Sequence, residues 1–302
     1  MIVRPKQSWF RLLFVWKGSV LQSIIPQLAF MTVVSCVAVA THGRVFGEKI
    51  PLNTTLLTLF GLTLAIFMGF RNTVSYQRFD EARHLWGQLL NSARALVSQA
   101  LCYLPPEEAR AVADETVALV YALKHELRET HSQADLERLL GAARASELRR
   151  CSYGSSAILH ELRERLAAHH AQGRMSDARW WTLDAQLCEL GKAIGGCERI
   201  VSTPIPFAFG VLLHRTVYTY CILLPFGLVD AAEVFTPLLC VFLSYTLIAL
   251  EAIANEVAEP FTLAPNALAL DALSRNIERA VFELCGRELP PPLEPSPSYQ
   301  LT

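Results

Sequence analysis

Charge is scarce in this chain. Of its 302 residues 18% are charged and 52% hydrophobic, and the formal net charge is −1. Near-neutrality excludes the basic surface on which nucleic-acid binding depends, so no nucleic-acid partner is expected. There is no Gly-rich phosphate loop and no HExxH. No CxxC pair occurs among the eight cysteines. Cys36, Cys221 and Cys240 fall in apolar blocks and the other five in polar helical sequence, so reduced thiols are expected rather than a disulfide framework. His169 and His170 are adjacent and do not face one way on a helix, which makes them a poor metal site. His84, His125, His131 and His160 are scattered along polar helices, where solvation is expected. Nothing here asks for a catalytic residue, a metal or a cofactor, and the chain does not look like an enzyme.

What is present is apolar sequence, concentrated in four blocks, with a positive mean hydropathy. The run Leu52 to Phe70 carries no charge and matches the ~20 residues a helix needs to cross a bilayer. Arg71, Arg78, Asp80, Glu81 and Arg83 follow in good helix-forming sequence with no Pro, so one helix is expected to leave the membrane and continue into water. Its outer turn holds Asn53, Thr54, Thr55 and Thr58. Deeper in, Leu62, Ile66 and Phe70 recur every four residues and form one stripe. Such a stripe faces lipid or neighbouring helices in most spanning helices; around a symmetry axis it would make an apolar constriction.

Residues 1–19 are basic and aromatic (Arg4, Lys6, Trp9, Phe10, Arg11, Phe14, Trp16, Lys17), suited to the cytoplasmic face of a membrane. Ala38-Val39-Ala40 resembles a signal-peptide cleavage site, but the block Val20 to Ala40 is long for a signal segment and is expected to be the first span, with Pro26 near its start. Spans one and two therefore occupy residues 20–71, joined by a short outer connector with Gly43, Gly47 and Pro51. Residues 72–203 form a helical cytoplasmic domain without strand-like alternation. Helix starts are expected at Pro105-Pro106, at Ser132 with Asp135 as a capping box, at Ser155 or Ser156, and at Ser176. Core stripes are Ile158, Leu159, Leu162, Leu166 and Leu183, Leu187, Leu190, Ile194. Thr203-Pro204-Ile205-Pro206 returns the chain to the membrane. Residues 204–250 hold spans three and four, with His214 and Arg215 placed at the cytoplasmic interface. Residues 251–288 form a helical extension in which Glu251, Glu256 and Glu259 either line a vestibule or form a wet face. The Pro-rich tail, 289–302, is expected to be disordered or extended. The basic N-terminus puts both termini in the cytoplasm of a multi-pass protein of the cell membrane.

Gly69-Phe70-Arg71-Asn72, Ser75-Tyr76, Arg78-Phe79, Glu81-Ala82-Arg83 and Leu85-Trp86-Gly87, then Cys197-Glu198-Arg199-Ile200 and Thr203-Pro204-Ile205-Pro206, resemble the signatures of prokaryotic bestrophins. The similarity runs from about Arg4 to Leu284. It implies an all-α membrane protein with four transmembrane helices and a helical cytoplasmic domain, assembled as a homopentamer around a central pore in a lipid bilayer. Small monovalent inorganic ions would pass a neck formed, by motif position, of Leu62, Ile66 and Phe70. The family usually has Ile at the first of these. A second, cytoplasmic aperture is expected on the helix opened by Ser176, with Trp180 of the Trp180-Trp181 pair as its candidate. Eukaryotic bestrophins resemble chloride channels, whereas prokaryotic relatives can favour monovalent cations. Eukaryotic bestrophins also carry an acidic calcium-binding run after the fourth span. Here Pro260-Phe261 is followed by no carboxylate before Asp271, so calcium gating is not expected. A secondary transporter would show internal repeats, and a membrane-anchored interaction protein would give no conductance.

Overall fold

In the computed structural model residues 1–5, 8–16, 18–46, 48–49, 52 and 54–302 are described. Lys6, Lys17, Gly47, Pro51 and Asn53 lie outside them. The elements are helices α1 (Trp9–Leu12), α2 (Leu21–Ala40), α3 (Thr54–Tyr103), α4 (Pro106–Leu127), α5 (Gln133–Leu140), α6 (Ala142–Leu148), α7 (Gly154–Ala171), α8 (Asp177–Ser202), α9 (Phe207–Ala232), α10 (Thr236–Ala258) and α11 (Leu270–Leu284). Two-residue strands β1 (Arg44–Val45) and β2 (Glu48–Lys49) pair antiparallel between α2 and α3. The fold is all-α. The chain divides into a unit of residues 4–78 and 204–259 and a unit of residues 1–3, 79–203 and 260–302, with the division falling inside α3.

The first unit is apolar. Among the described residues three stretches are long and apolar enough to cross a membrane: Leu21–Ala40, Thr55–Tyr103 and Phe207–Ala258. The last contains α9 and α10, which pack against each other and against α2 after a short turn at Glu233–Phe235. Glu233 takes a positive φ of 44° in this turn. In a hydrocarbon environment a helix is the form that pairs every backbone group within one segment. Polar side chains follow the same economy: Ser35, Thr63 and Thr216 donate to Met31, Leu59 and Leu212 carbonyls at 2.8, 2.9 and 2.8 Å. The core of this unit gathers Ile24, Met31, Leu64, Met68, Leu213, Val217, Cys221 and Ile248. Gly43 has φ +71°, and a Cβ there would lie 2.9 Å from Val229 Cγ1, so this corner of the connector needs glycine.

The second unit is built around α4, which packs on α5, α7, α8 and α11. Pro106 opens α4, and Glu107 and Glu108 sit in its first turn beside the positive end of the helix dipole. The expected stripes on α7 and α8 are buried at Ile158, Leu162, Leu166, Leu183, Leu187, Leu190 and Ile194, while Leu159 packs at their edge. On α11, Leu270, Ile277 and Val281 are buried but Leu284 is exposed in the last turn. Ala82, Trp86, Leu89, Ala93 and Leu96 add the face that α3 gives to this core.

Three local expectations need correction. Ser132 precedes α5 but makes no side-chain cap, because Asp135 is drawn to His125 at 2.9 Å and Lys124 at 3.3 Å. His125 is for the same reason a half-buried partner rather than a solvated side chain. The helix expected at Ser155 or Ser156 begins at Gly154, where the Glu126 carboxylate of α4 accepts from Ser155 N at 2.7 Å and Ser155 Oγ at 2.6 Å. A carboxylate from another helix thus does the capping. The Pro-rich tail, expected to be disordered or extended, is extended and hydrogen-bonded: Val3 N donates to Tyr299 O (2.9 Å), Leu301 N to Met1 O (2.8 Å) and Ala272 N to Thr302 O (2.9 Å).

Candidate functional site

The apolar unit holds the stripe singled out in the sequence. On the part of α3 that lies in this unit, up to Arg78, the buried positions are Leu57, Leu64, Met68 and Ser75. At 3.6 residues per turn they fall about 180° around the helix from Leu62, Ile66 and Phe70. These three are 59%, 52% and 67% exposed. One face of α3 therefore packs on its own chain, and the opposite face presents three large apolar side chains to whatever lies outside. Their spacing brings them together on that face.

Trp180 and Trp181, adjacent in sequence, part company in the structure. Trp180 packs against the helical core and stacks on His170, with ring centroids 6.0 Å apart. Trp181 is 78% exposed. The side chain that projects from α8 is Trp181, whereas Trp180 is held by its neighbours.

Below the stripe lies a polar seam that the sequence did not announce. Glu251, Asn255 and Ala258 are spaced to share one face of α10. Glu251 is buried, and its Oε1 lies 2.8 Å from His214 Nδ1 of α9. It is not part of a wet face in this chain; α9 packs over it and supplies its partner. His214 also lies on the Tyr218 ring, with centroids 4.4 Å apart. Asn255 Oδ1 accepts from Arg71 Nη2, and Ala258 O accepts from Arg78 Nε at 3.0 Å. Arg78 thus satisfies a terminal carbonyl of α10 at the negative end of its dipole. Arg71 crosses Gly210 of α9, where a Cβ would come within 3.3 Å of its Nη1. The clue available in sequence was the pair Glu251 and Asn255, four residues apart on an otherwise apolar helix. His214, Arg215, Arg71, Glu251 and Asn255 line one cavity of about 380 Å³.

Among the described residues no three His, Cys, Asp or Glu side chains are grouped so as to hold an ion. Asp271, the first carboxylate after Pro260, is 2.7 Å from Arg128 and 3.1 Å from Lys124. All eight cysteines are free thiols. Burial, with Glu198 and Glu81 nearby, pushes the Cys197 thiol up to about 12.

These features define an all-α membrane protein with an apolar helix face left for an assembly or a lipid. Comparison with known proteins supplies the family. The profile for bacterial/fungal bestrophin proteins matches residues 1–283, and the chain belongs to that family. A voltage-dependent anion channel-forming protein of Ralstonia nicotianae is 44% identical over 292 residues, covering 95% of each chain. The corresponding protein YneE of Salmonella typhi is 38% identical over the full length of both. The crystal structure of a bacterial bestrophin homologue from Klebsiella pneumoniae superposes with a TM-score of 0.85 at 38% identity, covering 88% of this chain and 99% of that one.

Proposed function

We propose that this protein is an anion channel of the bestrophin type, a homopentamer of four-span subunits that passes small monovalent ions passively through a neck of Leu62, Ile66 and Phe70. The observation that carries the proposal is the opposition on α3 between its buried face and this stripe. A helix that packs on its own bundle through one side and turns Leu, Ile and Phe outward from the other has the geometry of a pore-lining helix. Five such helices would enclose a constriction with no charge to hold an ion, one that passes current when wetted and closes by dewetting.

The sign of the ion follows from the relatives, which are named anion channel-forming proteins. An apolar neck does not select a charge; the fields at its mouths do. The engagement of Glu251 by His214 removes one carboxylate from those that would favour cations. At the cytoplasmic end, Trp180 was the aperture candidate by family position, and the exposure of Trp181 makes it the bulkier projection on the same helix. The subunit would sit in the cell membrane with both termini in the cytoplasm and the connector between α2 and α3 outside, as the basic N-terminal segment favours.

The test is recording from purified protein in planar bilayers under a KCl gradient, with the mass of the detergent-solubilised complex measured in parallel. A reversal potential near that of chloride and a mass of five subunits are expected. A potassium-directed potential would overturn the selectivity, and a folded complex without conductance would overturn the channel.

A further inference from the structure

We propose that Asn255 is a positioning residue for the pore helix: by holding Arg71 it sets the rotation of α3 about its axis, and with it how far Phe70 projects into the neck. This rests on the neck assignment above.

The seam is arranged for that task. Arg71 follows Phe70 directly, so a rotation that moves one moves the other. Its guanidinium crosses Gly210 of α9 and ends on Asn255 Oδ1 of α10. Arg78, two turns further on, ends on Ala258 O at 3.0 Å. Both anchors lie on the face of α10 that carries Glu251, and Glu251 is fixed to α9 through His214 at 2.8 Å. The polar links therefore run from α9 to α10 to α3, and they meet α3 at the cytoplasmic end of its apolar run. The rest of that run is held by apolar contacts at Leu57, Leu64 and Met68. Apolar packing resists separation but is not directional, whereas a guanidinium bonded to an amide oxygen fixes an angle. Arg71 Nε is buried and has no hydrogen-bond partner among the described residues. Among the described residues the bond to Asn255 is thus the polar contact that determines where this side chain points.

The readout is the relative permeability of anions of increasing size, taken from reversal potentials. These are properties of each open channel and do not change when fewer channels fold. Wild type, Phe70→Ala, Asn255→Leu and Asn255→Asp are compared as full-length assembled channels. Asn255→Leu is expected to shift the size preference in the direction of Phe70→Ala, and Asn255→Asp, which keeps an oxygen for Arg71, to restore wild-type values. Wild-type potentials in an assembled, conducting Asn255→Leu channel would overturn the proposal while leaving the channel intact. If Asn255→Leu fails to assemble, Gly210→Val displaces Arg71 from the other side; wild-type potentials there would equally overturn it. A silent wild type in which Phe70→Ala is also silent would remove the neck and this proposal together.

Discussion

Glu278 has no exposed surface, and its carboxylate is met by Tyr121 Oη at 2.7 Å, Arg138 Nη1 at 2.5 Å and Arg275 Nε at 3.6 Å. Substituting it removes the centre of a polar cluster that joins α4, α5 and α11. Breaking a buried ion pair costs about 3–5 kcal/mol when the remaining charge is trapped. Arg138 is 43% exposed and can return to water, so Glu278→Ala is placed at the low end, about 3 kcal/mol. Glu278→Gln keeps the shape and an oxygen for Tyr121 but loses the charge, for about 1.5 kcal/mol. With roughly 2–4 °C per kcal/mol for a unit of this size, Tm should fall by about 6–12 °C and 3–6 °C. Burial, then the bond to Glu278, holds the Tyr121 phenol above its ordinary ionisation range. The phenol's raised value means that its contribution is complete at neutral pH and is lost only as pH rises through that range. The assay is thermal unfolding of the full chain in detergent. Because Tyr121→Phe removes a bond that Glu278→Ala also removes, the double substitution with Glu278→Ala should cost less than the sum of the two. An unchanged Tm for Glu278→Gln, or strict additivity, would refute the assignment of this cluster as one coupled unit.

Acidification should destabilise the same region from another direction. Burial opposes ionisation of Asp135 and Asp271, but the His125 bond and Lys124 outweigh it for the first, and Arg128 with Lys124 for the second. Both fold with lowered values, so their contribution is present above the unfolded carboxylate range and lost as pH falls through the folded values; Asp271→Asn should flatten the profile of Tm against pH below 5 in a buffer series. Glu126→Ala leaves Ser155 and the first turn of α7 without their cap, and a loss of about 1 kcal/mol is expected in denaturant titration. A maleimide applied to native protein should label exposed Cys151 and Cys188 and spare Cys197, with mass spectrometry after digestion as the readout.

Much of the fold was legible because its determinants are local. An uncharged run of spanning length, a Pro-Pro-Glu-Glu helix start and Leu stripes at helical spacing each say what they will form before any partner is known. Leu62, Ile66 and Phe70 were legible as a stripe. What the sequence could not give was its orientation, since which side of α3 is buried depends on α2, α9 and α10 arriving from elsewhere in the chain. The corrections share that cause. Glu251 read as a vestibule or wet-face residue because its partner His214 is 37 positions away. The Ser155 cap went unseen because Glu126 belongs to another helix, and the capping box at Ser132 failed because Asp135 had stronger partners in space than in sequence. Apart from these corrections, which of Trp180 and Trp181 projects from α8 follows from burial that only the folded helix shows.

Leu62, Ile66 and Phe70 are proposed as the constriction through which ions pass. The most direct measurement is single-channel current in planar bilayers for wild type, Ile66→Ala, Ile66→Ser and Phe70→Ala, each verified as assembled. A narrow dewetting constriction requires that smaller or polar side chains raise the current or the open fraction, with Ile66→Ser above Ile66→Ala because a hydroxyl retains water. Assembled channels whose currents are indifferent to all three substitutions would place the constriction elsewhere and contradict the account.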